Sequence, residues 1–154
     1  MPAWEQIYAT ITLTNIRDRW RAESGAIPAG EVRSRDVECL VDTGATALTI
    51  PSSLRDELGL ETVSTKLAII ATGEAVWCDL VGPVEVRFEN RLSIGTALVV
   101  PGDGQVLLGA IQMEDMDLIP DPGTQRLIVT PESPDRARAM LVSVQHRIPP
   151  GGPA

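Results

Sequence analysis

Apolar and polar residues alternate along much of this chain, and that alternation predicts strands. Ile7, Ala9, Ile11 and Leu13 share one face of a strand over 7–13. Val37, Cys39 and Val41 alternate with Asp36, Glu38 and Leu40, which predicts a second strand over 37–41, and 47–50 continues beyond an acidic turn as a third. Two apolar runs, 65–70 and 75–80, flank Thr72-Gly73-Glu74 and predict a hairpin, with Trp77 in the core or at its base. Gly82-Pro83 is expected to turn the chain. After it Val84, Val86 and Phe88 alternate with Glu85, Arg87 and Glu89 as a half-exposed strand. Further strands are expected at 92–100, at the short buried run Val106-Leu107-Leu108, at 126–130 after the turn Asp121-Pro122-Gly123-Thr124, and last at 139–144.

Helical signals are few. Residues 51–60 carry a serine cap, acids in the body, Leu54 and Leu58 four apart, and Gly59 as terminator. A second helix is expected over 110–118. Residues 14–35 are mostly polar, with Arg17, Arg19, Arg21, Gly25, Pro28 and Gly30; they read as a long hairpin loop with some strand at 20–22 and a solvated charged face. Many strands, one or two short helices and frequent Gly or Pro turns make the chain all-β, a small closed barrel. No internal repeat is present.

Composition narrows the chemistry. With 154 residues, 44% hydrophobic and 22% charged, the chain fits one globular domain, 1–145, and a Pro/Gly-rich tail, 146–154. Lys and Arg number 13 against 21 Asp and Glu, a net charge of −8 without a basic run, which disfavours nucleic acid as a partner. No apolar run is long enough to span a membrane, and residues 1–5 do not resemble a signal peptide, so the cytoplasm is the expected compartment. Cys39 and Cys78 lie far apart and read as buried free thiols rather than a disulfide. His146 is the only histidine and sits in the tail, which disfavours Ser-His-Asp or Cys-His chemistry and a structural zinc site. No Gly-rich phosphate loop occurs. If the chain is an enzyme, carboxylate chemistry remains.

That chemistry points to the stretch from Cys39 to Ile50, a strand, a sharp acidic turn and another strand around Asp42-Thr43-Gly44. The apolar residues on both sides set the turn against a core, where a carboxylate needs hydrogen bonds or a partner. Such acids are candidates for function. Asp-Thr-Gly alone also suits an ordinary turn. Here, however, Leu40-Val41-Asp42-Thr43-Gly44-Ala45 is followed by Ile70-Ala71-Thr72-Gly73-Glu74-Ala75-Val76 and then by Val106-Leu107-Leu108-Gly109. In this order the elements resemble the catalytic turn, the flap hairpin and the second apolar-Gly element of the retropepsin-like aspartic proteases, over roughly residues 7–130.

The resemblance implies a retropepsin-type barrel and an aspartic endopeptidase active as a homodimer. Asp42 is then the catalytic acid of each copy. The other Asp-Gly-like sites, Asp103-Gly104 and Asp121-Pro122-Gly123, lack the flanking strand, so the second carboxylate must come from a second chain. By the same resemblance Thr43 bonds across the twofold axis and Gly44 gives substrate room. Ala45 stands where two-lobed relatives carry a hydroxyl, which implies activity closer to neutral pH. Ala71, Thr72, Gly73 and Glu74 form the flap tip that, with Ala45, meets an extended protein or peptide substrate. Leu67, Ile69, Ile70, Val76 and Leu107 suggest apolar pockets. No cofactor, no metal, no nucleic acid and no membrane are implied. The segment 14–35 is an insertion relative to the family pattern. Ala110 and Ile111 depart from the polar residues that follow the glycine in viral members, and 4–7 and 140–144 are the segments available for a shared terminal sheet. Two other readings compete: a catalytically silent retropepsin-fold dimerisation or peptide-binding domain, and an unrelated acidic β-domain with a chance turn motif.

Overall fold

The computed structural model describes residues 6–139 and residue 141. Strand β1 (Ile7–Asn15) runs antiparallel to β2 (Ser34–Val41), from Ile7 opposite Val41 to Thr14 opposite Ser34. Helix α1 (Ile16–Glu23) and a 3-10 turn (Ala29–Glu31) lie between them. The acidic turn follows β2 and leads to β3 (Thr49–Pro51) and α2 (Ser52–Leu58). Strands β4 (Glu61–Ile69) and β5 (Ala75–Phe88) form a long hairpin, and β6 (Arg91–Val100) returns along β5. The short β7 (Val106–Leu108) enters α3 (Ala110–Met116), and β8 (Leu118–Asp121) pairs with β9 (Arg126–Val129).

The main sheet has the order β1-β2-β7-β3-β6-β5-β4, and β1 also pairs with β5. That extra pairing closes six strands into a barrel, and β4 hangs outside on the free side of β5. The fold is therefore the small, mostly β barrel that the alternation implied. Its interior is filled by the faces that the pattern singles out. Ile11, Leu13, Cys39, Val84, Val86 and Leu108 are buried together, with Leu54 and Leu58 of α2 packed on the same core. Val37 and Val41 are partly buried against it. No helix among the described residues is long and apolar enough to cross a membrane.

Four expectations give way. The polar segment after β1 is not a loop with a strand at 20–22; it forms α1, the third α-helix where one or two were expected. Only Ile16 and Asp18 of α1 are buried, so no apolar stripe announced it. The signal lay in its cap, where the Asn15 side chain accepts the Asp18 amide. Gly82-Pro83 does not turn the chain. Strand β5 runs straight through it with a register shift between Val81 and Val84, and a Cβ on Gly82 would lie 2.7 Å from the Gly95 carbonyl oxygen. Glu85 is only 2% exposed rather than on a solvated face, because Arg19 of α1 and Arg87 both pair with its carboxylate. Trp77 is 71% exposed on the hairpin.

Smaller differences follow the same logic. The serine cap of α2 is absent: Pro51 is the N-cap, and the Ser52 hydroxyl accepts the Gly102 amide at 3.0 Å instead. Gly59 does end α2, with a left-handed φ of 62°. Three arginines in and after α1 belong to ion pairs, Arg17 with Glu61, Arg33 with Asp18 and Arg35 with Glu57. Past β9 the chain is tied to Asp117, whose carboxylate accepts from the Thr130 and Ser133 hydroxyls and from Arg138. The tail 146–154, the terminal segment 4–5 and all of the expected strand at 139–144 except residues 139 and 141 lie outside the described residues.

Candidate functional site

The acidic turn is built by three crossing segments. β2 brings the chain to Asp42 alongside β7, to which it is parallel, with Val41 opposite Leu108. The Asp42 amide then donates to the Leu108 carbonyl at 3.0 Å. The turn closes on itself: Ala45 N–H donates to the Asp42 carbonyl at 3.1 Å, and Gly44 N–H donates to Asp42 Oδ1 at 2.9 Å. A Cβ on Gly44 would stand 3.2 Å from that same oxygen, tighter than an ordinary contact. The Asp42 side chain is thereby aimed by backbone and not by a neighbouring charge.

Gly109 passes directly behind the turn. A Cβ there would lie 2.7 Å from the Ala47 oxygen and 2.8 Å from the Ala45 oxygen, so only glycine permits the approach. From this position α3 starts and its first amides reach back. Ala110 N–H donates to Ala45 O at 2.8 Å, and Ile111 N–H to Thr46 O at 3.0 Å. The buried Gln112 side chain accepts the Leu48 amide through Oε1 at 2.9 Å. β7 and α3 thus hydrogen-bond the turn from behind at Asp42, Ala45, Thr46 and Leu48. The sequence pointed to Gly109 but not to Gln112, whose role is visible only once α3 is placed.

Asp42 is half-buried, whereas Thr43 and Gly44 are exposed at the open face of the turn. On one side Asp42 and Thr43, with Leu40, Val41, Ile7, Pro120 and Pro122, line a cavity of about 440 Å³. On the other side Gly44, Ala45, Thr46 and Ala47 form one wall of a cleft of about 460 Å³. Its opposite wall is the arm of the β4–β5 hairpin, residues 66–70, and its floor includes Leu98, Val100 and Leu107. Leu67, Ile69, Ile70 and Leu107 line this cleft as the resemblance implied, and Val76 is not among its lining residues.

The hairpin tip is a tight turn. Gly73 has φ 86°, its amide donates to Ile70 O at 2.9 Å, and Ile70 N–H donates to Glu74 O at 3.0 Å. Ala71, Thr72, Gly73 and Glu74 are all exposed there, outside the walls of the cleft. Of the residues expected to meet substrate at the flap tip and beside the turn, Ala45 lines the cleft and Ala71 to Glu74 do not. Residues that the sequence reading did not place in the cleft include Lys66, Cys78, Leu98 and Val100.

The two cysteines are free and buried. Burial pushes the Cys39 thiol up to about 12, which leaves it in the protonated, unreactive form. Nucleophilic thiol chemistry is therefore not offered by Cys39.

The aspartyl protease family model matches residues 29–111, more than half of the chain, and the match takes in the acidic turn, the hairpin and Leu107-Leu108-Gly109. No curated protein matches the chain.

Proposed function

Because this chain belongs to the retropepsin-like aspartyl protease family, we propose that it is an endopeptidase working as a twofold homodimer, with one Asp42 from each copy. The observation that carries this reading is the Asp42-Thr43-Gly44 turn, fixed from behind by Gly109 and open in front beside an apolar cleft. Peptide hydrolysis of this kind needs two carboxylates a hydrogen bond apart. Like charges at that distance do not both ionise, so the pair shares one proton and holds a water. The ionised member takes the water's proton as its oxygen attacks the scissile carbonyl. The protonated member donates to the developing oxyanion, and a proton then passes to the leaving nitrogen.

One chain carries one such turn, so the second carboxylate is assigned to a second copy. Thr43 and Gly44 are exposed in the single chain, which supports a second copy docking against the turn. The hairpin covers an extended peptide, whose apolar side chains fill the cleft between the Ala45–Ala47 wall and residues 66–70. Free, buried thiols suit a reducing compartment such as the cytoplasm. Ala45 offers no hydroxyl to the dyad, and an activity maximum nearer neutrality than about pH 4 is expected.

The test compares the protein with Asp42→Ala on an unfolded protein substrate from acidic to neutral pH, with sedimentation run in parallel. The reading expects a dimer that cuts and a variant at least about a thousandfold slower that still folds. A wild type that is dimeric yet never cuts would leave a silent peptide-binding domain in its place. Equal cutting by both proteins would assign the activity elsewhere.

A further inference from the structure

The cleft beside the acidic turn is apolar except at one point. Lys66 is the only lysine in the 154-residue chain and the one charged side chain among the residues that line this cleft. It lies on β4 directly opposite Cys78 of β5, and opposed residues of an antiparallel pair share a face of the sheet. Cys78 is 8% exposed and lines the same cleft, so this register aims Lys66 inward, over the cleft and not away from it.

Lys66 is also unengaged. Every ion pair among the described residues uses an arginine. Among the described residues the Lys66 ammonium has no hydrogen-bond or carboxylate partner, although acids outnumber bases 21 to 13 in the chain. A cation left free on an apolar wall in so acidic a protein is available to a ligand. Its three donors suit a carboxylate.

The neighbouring charges decide where that carboxylate can bind. Lys66 stands at a junction, because it also lines an adjoining cavity of about 580 Å³ together with Ile94, Ile111, Glu114 and Asp115. The two acids repel an anion on that side. No acid lines the cleft on the side of the turn. Asp42 lines the cavity on the other side of the turn and not this cleft, and Glu74 is at the exposed hairpin tip.

We propose that Lys66 is a specificity residue that selects extended peptides carrying an Asp or Glu among aliphatic residues, at one position close to the scissile bond. This rests on the peptidase reading for the word scissile, but the recognition itself requires only that the cleft bind peptide. Lys66 touches a substrate side chain and no reacting atom, so its removal changes which peptides are used and not the chemistry.

The experiment uses a panel of peptides of one apolar sequence, each position replaced in turn by Asp, Asn or Lys. Cleavage is measured with the wild type, Lys66→Met and Lys66→Glu. Binding of the same panel is measured by fluorescence anisotropy on Asp42→Asn proteins with and without Lys66→Met. The wild type should favour Asp over Asn at one position by roughly fivefold in kcat/KM, the scale of a solvent-accessible charge pair, and less at high salt. Lys66→Met should flatten the Asp-to-Asn ratio of kcat/KM at that position, and Lys66→Glu should turn the preference towards Lys. Cutting without an acidic preference, or a preference that survives Lys66→Met, overturns the proposal and leaves the peptidase reading intact. Absence of cutting, with an acidic preference in binding that Lys66→Met abolishes, overturns the peptidase reading and supports the proposal. Neither cutting nor binding of any peptide overturns both.

Discussion

Gly109→Ala puts a methyl group where the acidic turn already is. The added carbon would lie 2.7 Å from the Ala47 oxygen and 2.8 Å from the Ala45 oxygen, whereas ordinary contact begins near 3.4 Å, so both carbonyls must retreat by about 0.6–0.7 Å. These are backbone atoms of a turn held at both ends, with no flexible side chain to swing away. The retreat stretches the bonds from Ala110 N to Ala45 O and from Ile111 N to Thr46 O, now 2.8 and 3.0 Å. Overpacking costs about 1–3 kcal/mol, and each weakened hydrogen bond about 1 kcal/mol. Together they predict a loss of roughly 3–5 kcal/mol, a large part of the ~5–15 kcal/mol that holds a domain folded. In a urea titration this is a fall in midpoint of about 1.5–2.5 M for a slope near 2 kcal/mol/M. Where the variant still folds, a displaced turn should cost at least about a hundredfold in peptide cleavage. Gly104→Ala is the control, because an added Cβ there meets nothing within 4 Å; it should stay within about 0.5 kcal/mol of the parent. A Gly109→Ala protein with an unchanged midpoint and unchanged cleavage would refute the claim that this close approach builds the site.

Two further outcomes are expected. Gln112→Leu removes the acceptor of the buried Leu48 amide, which is 2.9 Å from Gln112 Oε1, and should lower the urea midpoint by an amount equivalent to about 1–3 kcal/mol; an unchanged midpoint would show that the amide finds another partner. Stability should also fall in acid. The Arg33 guanidinium holds Asp18 below the usual carboxylate range, and the Ser133 hydroxyl with Arg138 and Thr130 does the same for Asp117. Carboxylates depressed in the folded state take up protons first in the unfolded chain, so their stabilisation is complete well above about pH 4 and is lost as the pH drops below it. Urea midpoints should therefore be level from neutrality to about pH 5 and then fall, less steeply in Asp18→Asn and Asp117→Asn; a parent and variants with parallel profiles would exclude these two groups as the cause.

Strand alternation was legible in the sequence because it follows from local geometry: successive side chains on a strand point to opposite faces, and a buried face must be apolar. Hence Ile7 to Leu13, Val37 to Val41 and Val84 to Phe88 announced the barrel staves, and Gly59 announced the end of α2. Leu40-Val41-Asp42-Thr43-Gly44-Ala45 and Leu107-Leu108-Gly109 were legible as a pair for a related reason, since a turn and a glycine that must touch leave a constrained spelling in each. Tertiary structure decided what local pattern cannot encode. Glu85 reads as a surface residue until α1 folds over it, and α1 reads as a loop because only its cap and two buried residues mark it. Gly82-Pro83 reads as a turn until a shifted register against β6 carries β5 on through it. Gln112 is an unremarked polar residue on a helix until Leu48 needs an acceptor. Lys66 is one exposed residue in a strand until the hairpin brings it over the cleft beside the acidic turn. For Glu85, Gly82, Gln112 and Lys66 the deciding partner lies more than 10 residues away in the chain, so the local pattern carries no trace of it until the segments pack together.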